Sequence, residues 1–247
     1  MRILHERPTT ADLDQARPLF TTPEGIEVTG VPLTGLPAAE RRRAVLAARS
    51  VTSCWPVLID QSFPAQLEFH WTLPDITMPL HETLRRAARL CDGDPDGTRP
   101  DFPGPPVRDV QDPPVAGVPS RPDGFEPLAP TLLGGVSRAY LALMPVDAGW
   151  QVPALLNYGG WNRYPSPVEH TVVLRRLYER YGAELVAMTD CSAEFIVRRP
   201  PLTRPDAWHL AWELIGYSDV VRDRSPESAV RFAADLLGAD HWVASWR

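Results

Sequence analysis

The sequence predicts an α+β fold, a mixed or antiparallel sheet with helices packed on it, together with a Pro-rich irregular linker. Three observations carry this. Some stretches repeat apolar residues at three- and four-residue steps while others alternate, so helices and strands are both present. Three segments in the C-terminal half open with a hydroxyl residue, a proline and then an acid or a second hydroxyl, a helix-starting signature. Helices and strands do not alternate one for one, as a doubly wound parallel sheet requires.

The elements follow in chain order. Gly25 to Leu33 alternates Ile26, Val28 and Val31 imperfectly, as a short strand does. Pro37 to Arg49 reads as a helix, with the proline near its first turn. Cys54 to Ile59 reads as a buried strand with Pro56 near its beginning. In Pro79 to Cys91 the residues Leu80, Leu84, Ala87, Ala88 and Cys91 form a helical stripe, with Arg85, Arg86 and Arg89 facing outward. Beyond the linker, Ala139 to Val146 and Trp150 to Leu156 both read as strands. Ser166, Thr203 and Ser225 cap three helices, each with proline at the first or second helical position, and Gly182 and Gly238 suit left-handed stops. Ala183 to Thr189 and Ser192 to Arg198, joined by Asp190 and Cys191, read as a β-hairpin. A last strand places Trp242, Ala244 and Trp246 on one face. The expected C-terminal order is β-β-α-β-β-α-α-β.

The chain has 247 residues, 28 of them proline. Between Asp92 and Thr131 lie 11 prolines, five glycines, eight acidic residues and three arginines. Proline supplies no amide donor and resists helix and sheet, and the few apolar residues there show no period. The expected organisation is an N-terminal α/β region over residues 1–91, an acidic linker or long loop over 92–131, and a C-terminal α+β domain over 132–247. The linker reads as a spacer, with a proline-motif ligand as the alternative, since a Pro-x-x-Pro occurs from Pro103 to Pro106.

A net charge of −6 speaks against nucleic acid and acidic membrane surfaces as partners. The N-terminus lacks the apolar core of a secretion signal, so a cytoplasmic protein is expected. Cys54, Cys91 and Cys191 are odd in number and far apart, which suggests neither a disulfide framework nor a zinc site. The histidines show no ligand spacing, no phosphate-binding or nucleophile-elbow motif occurs, and neither metal nor cofactor is expected. Arg41 to Arg43 and the Arg198–Arg199 pair read as solvated faces or as contacts to an acidic protein.

The unusual segment is Asn157-Tyr158-Gly159-Gly160-Trp161-Asn162. Two glycines allow positive φ or close backbone approach, and the Trp161 indole combines a large apolar body with a donor. The asparagines can bond a ligand or hold the turn. Glu169 and His170 follow at the start of the next helix. The segment is a structural turn or a partner- or ligand-binding loop. His170, on the side of Val173, Leu174 and Leu177, is a buried hydrogen-bonded histidine or a general base. Asp190 and Cys191 in the hairpin turn are the candidate partners for catalysis.

Residues 138 to 247 resemble the bacterial domain of unknown function numbered 4253. The resemblance rests on Pro153-Ala154, Tyr158-Gly159-Gly160-Trp161-Asn162, Pro165, Glu169-His170, Tyr181-Gly182-Ala183-Glu184, Asp190, Glu194, Arg199-Pro200-Pro201 and Ala207. The chain departs from that pattern at Tyr217 to Asp223 and at its end, Trp242 to Arg247. The resemblance implies a domain boundary and a candidate surface, not a reaction. Two functions are open: a binding or regulatory module, immunity-like, that docks a protein partner; or a small-molecule-binding protein or enzyme with its site around the Gly-Gly-Trp-Asn loop and His170.

Overall fold

A computed structural model describes residues 13, 15–33, 35–73, 77–92, 138–162, 164–220 and 225–246. The Pro-rich segment expected as a linker lies outside the described residues, apart from its first residue, Asp92.

Among the described residues, seven strands form one mixed sheet. They are β1 (Arg17–Thr21), β2 (Glu27–Pro32), β3 (Trp55–Asp60), β4 (Ala139–Met144), β5 (Ala183–Met188), β6 (Ser192–Val197) and β7 (His241–Ser245), in the order β1-β2-β4-β3-β5-β6-β7. Only β3 and β5 pair in parallel; the other five ladders are antiparallel. β3, from the N-terminal part of the sequence, lies between β4 and β5. Pro56 is tolerated in this central strand because the ladder with β5 begins only at Leu58.

Seven α-helices occur among the described residues: α1 (Ala38–Arg49), α2 (Phe63–Trp71), α3 (Leu80–Asp92), α4 (Val152–Leu156), α5 (Pro167–Tyr181), α6 (Arg204–Tyr217) and α7 (Pro226–Leu236). None is long and apolar enough to cross a membrane.

Alternation along the strands divides the core into two faces. Val57 and Ile59 of β3 join the large cluster that holds α2, α4, α5, α6 and α7, while Leu58 joins the smaller one under Ala44, Val45 and Ala48 of α1. In β5 the alternation breaks: Leu185 faces the large cluster, but Val186 and Ala187 both face the small one. A register shift between Leu185 and Ala187 explains this, because the extra residue of a bulge resets the faces.

Most helix boundaries follow the sequence. Ser166 Oγ accepts from Glu169 N–H, and the Glu169 carboxylate accepts from Ser166 N–H at 2.6 Å. Thr203 and Ser225 cap α6 and α7 with their hydroxyls, which accept from the N–H groups of Asp206 and Ser228. Gly182 ends α5 with φ of 62°.

Three readings are corrected. Trp150 to Leu156 is not a strand but a short 3₁₀ turn, Gly149–Gln151, running into α4. All five residues of α4 are buried, so the run has no helical stripe to read. Local bonds decide it: Gln151 Oε1 accepts from Asp147 and Ala148 N–H, Pro153 sits in the first turn, and Asn157 closes the helix in the left-handed region. The C-terminal order is therefore β-α-α-β-β-α-α-β. Second, β1 and α2 are additional elements that the sequence pattern does not announce. α2 starts because Asp60 Oδ1 accepts from the N–H groups of Ser62 and Phe63, an acid one strand-end away rather than the usual hydroxyl cap.

Third, the arginine runs are not solvated faces throughout. Arg41 is buried, with its guanidinium pKa lowered by that burial, and Arg42 binds Asp240 at 2.8 Å; Arg43 alone is exposed. Arg198 and Arg199 are both exposed, as expected of a solvated face, but each is engaged: Arg198 pairs with Glu184 at 2.9 Å. Arg199 donates to the Glu179 carbonyl at 2.8 Å, an acceptor near the end of α5, and to the Tyr178 carbonyl, which also accepts from Gly182 N–H. On α3, Arg85, Arg86 and Arg89 do face solvent.

Candidate functional site

The unusual loop is built by conformations that only particular residues tolerate. α4 ends at Asn157 (φ 46°), and Gly159, Gly160 and Asn162 also have positive φ, at 105°, 81° and 50°. Asparagine enters this region more readily than other residues with a Cβ. The requirement at Gly159 is absolute. A Cβ there would lie 2.0 Å from the Pro165 carbonyl oxygen and 2.7 Å from His170 Nε2. Its neighbour Gly160 donates to that same Pro165 oxygen at 2.9 Å, which closes the loop onto the start of α5.

The loop points inward. Asn157, Tyr158 and Trp161 are buried. Asn157 Oδ1 accepts from Met78 N–H at 2.6 Å, so this asparagine holds the entry to α3 and not a ligand. The Trp161 ring lies flat on His70 of α2, centroids 3.9 Å apart and planes within 3°. Tyr158 meets Trp161 at 5.2 Å and His170 at 5.0 Å, and its hydroxyl donates to the Asp190 carbonyl at 3.2 Å. The structure therefore brings the loop, His170 and the β5–β6 turn to one place, with Tyr158 touching all three. Gly160 and Asn162 are exposed, and Glu169 is half-buried and spent on the helix cap.

His170 is enclosed. Its Nδ1 shares a hydrogen bond with the Tyr217 hydroxyl at 2.7 Å, and Trp246 packs edge-on against its ring at 4.8 Å. Its Nε2 is buried with no hydrogen-bond partner among the described residues. Burial pushes its pKa down to about 3, so the ring is neutral at physiological pH. Burial likewise raises the Tyr158 and Tyr217 hydroxyls well above their ordinary range. A base so weak and so enclosed has little to offer a substrate proton.

Outside this hub lies a half-exposed rim at the end of the sheet where β3 and β5 finish. It holds His70, Tyr164, Asp190, Cys191 and Asp219. Tyr164 donates to the Trp246 carbonyl at 3.0 Å, and its hydroxyl is raised to about 12 by burial first, then by the neighbouring Cys191, Asp190 and Asp219. Desolvation lowers the His70 pKa, with Asp190 pulling the other way. Cys191 lies 3.7 Å from the Thr189 hydroxyl, which also bonds Ser192 Oγ at 2.7 Å. Phe69 stands beside His70 at 64% exposure. Among the described residues no group of three or more His, Cys, Asp or Glu could hold a metal ion.

Sequence reasoning missed His70, Tyr164 and Tyr217. His70 lies in the unread helix, and Tyr217 at the end of an apolar stripe gave no polar signal. Trp246 was placed on the correct face of the last strand, with no hint that its indole would donate to the Tyr217 carbonyl at 2.8 Å.

No curated protein and no solved structure matches the chain. The hub lies almost wholly between β4 and the C-terminus, and residues 140–247, the segment that contains it, match the family model described as domain of unknown function (DUF4253).

Proposed function

We propose that the chain is a binding or regulatory module that docks a protein partner, and that it does so with the rim, not with the buried loop. The observation that carries this is Phe69. A large aromatic side chain is left in solvent beside a histidine that is itself stacked on the core tryptophan of the loop. Exposed aromatic residues on rigid supports are favoured anchors at protein interfaces, because little conformational freedom is lost when they are covered. The neutral, enclosed state of His170 supports binding over acid–base catalysis at the hub.

The test is quantitative co-purification of the tagged full chain from its native cells, comparing wild type with Phe69→Glu. The expected result is a stoichiometric partner with the wild type, reduced about tenfold or more in the variant, as loss of an anchor residue gives. A wild type that brings down nothing above background, or a partner retained equally by a folded Phe69→Glu chain, overturns the proposal.

A second reading places a small polar ligand at the rim, favoured by the gathering of Cys191, Asp190 and Asp219 around the Tyr164 hydroxyl. Chemical-shift mapping against a metabolite library separates the two: ligand-induced shifts confined to Tyr164, Asp190 and Cys191 favour the second.

A further inference from the structure

His70 is held in an arrangement that suits only one of its charge states. It lies in the last turn of α2. Its ring is half-buried and lies flat on Trp161, centroids 3.9 Å apart, while Trp161 itself is buried. A half-buried ring stacked on a buried one stands between it and solvent. Phe69 meets the same imidazole edge-on at 5.5 Å. His70 therefore covers Trp161 and braces Phe69.

Its two nitrogens are not equivalent. Nδ1 is buried and finds no hydrogen-bond partner among the described residues. A neutral imidazole tolerates this, because it can carry its proton on Nε2 and leave Nδ1 bare. An imidazolium carries hydrogen on both nitrogens, so in this position a charged N–H would be buried with no acceptor. The indole face beneath and the carbonyl end of α2 both favour a cation and offset part of that cost. Desolvation is nevertheless the larger influence and lowers the His70 pKa, while Asp190 opposes it.

Asp190 gives the charged ring an alternative. It stands in the β5–β6 turn, half-buried, and its carboxylate makes no hydrogen bond or ion pair among the described residues. It is the charged group that acts on His70. The other ionisable side chains of the rim, Cys191 and Asp219, gather with Asp190 around the Tyr164 hydroxyl, and Asp219 adds its negative charge to that side. On α2 itself the neighbouring acid is Glu68, which is exposed. The loop after α4 presents the uncharged Trp161.

We propose that His70 is a proton-operated latch: neutral, it lies on Trp161 and braces Phe69; protonated, it leaves Trp161 for Asp190 and opens the buried side of the loop to solvent. The proton comes from solvent and goes to Nδ1, which then has the Asp190 carboxylate as its acceptor. For the docking proposed above, the consequence is binding that weakens as pH falls, because Phe69 loses its brace. That consequence rests on the rim reading; the ring movement does not.

Nuclear magnetic resonance of the full chain without a partner, from about pH 7.5 down to about pH 4.5, spans the imidazole range and tests the movement. The His70 ring protons and the Trp161 indole N–H should titrate with one midpoint, below the usual imidazole value of about 6.5. Nuclear Overhauser contacts between the two rings should disappear on the acid side. Asp190→Asn should shift the midpoint down, and His70→Gln should abolish the titration of the Trp161 indole. Contacts that persist once His70 is protonated overturn the proposal, as does a His70 that stays neutral throughout. A midpoint unchanged in folded Asp190→Asn, or a Trp161 titration that survives in folded His70→Gln, overturns it too. The wild-type contacts decide the matter even where a variant fails to fold. A latch that titrates as expected in a chain that captures no partner overturns the docking reading alone.

Discussion

At Gly159, φ of 105° and the 2.0 Å approach of a would-be Cβ to the Pro165 carbonyl act together. Gly159→Ala should therefore cost about 3 kcal/mol or more, beyond ordinary surface effects, because backbone and not a flexible side chain must move; thermal denaturation measures it. His170 makes a pH prediction. Unfolded imidazole titrates near 6.5 and folded His170 at about 3. Between these values the unfolded chain binds the additional proton, so this contribution is complete above the unfolded pKa and stability falls as pH drops toward the folded one. The loss attributable to this ring reaches about 5 kcal/mol at most. Chemical denaturation from pH 7 to pH 4 should show a shallower fall in His170→Gln than in the wild type; equal slopes refute the assignment. Tyr217→Phe leaves Nδ1 of a buried ring without its partner and should destabilise by about 1–3 kcal/mol with no change in overall fold.

At the scale of elements, local chemistry and tertiary chemistry divide cleanly. The capping box of α5 is complete within four residues, Ser166 to Glu169, and was legible for that reason. Ser166→Ala should cost about 1 kcal/mol, read as a shift in the urea midpoint. The other end of α5 closes locally at Gly182, and Arg199, across β5 and β6 in sequence, adds bonds from its guanidinium to the last carbonyls. No local pattern announces that contact, so the arginine pair reads as surface. α4 shows the reverse failure. A five-residue apolar run is compatible with a buried strand or a buried helix, and what chose helix was the side chain of Gln151 and a left-handed Asn157.

For the whole molecule the decisive fact is the position of β3. It supplies the antiparallel partner of β4 over six residues and the parallel partner of β5 at Leu58 and Ile59. A fragment of residues 138–247 alone would leave β4 with neither of its partners, β2 and β3, and β5 with an open, apolar edge. It should be aggregated or lack dispersed amide resonances, and co-expression with residues 1–92 should restore the native spectrum. A well-folded isolated fragment would show that β3 is dispensable.

Sequence alone determined the class of fold, the helix caps and the β5–β6 hairpin, because each rests on bonds or periodicities closed within a few residues, and it marked the family segment through motifs in a fixed order. It also located the loop from Asn157 to Asn162 as unusual, since paired glycines and asparagines mark positive φ. Only the tertiary structure decided that this loop faces inward. The residues that enclose it, His70, Met78, Tyr217 and Trp246, arrive from four other segments, and burial is a property of what surrounds a residue.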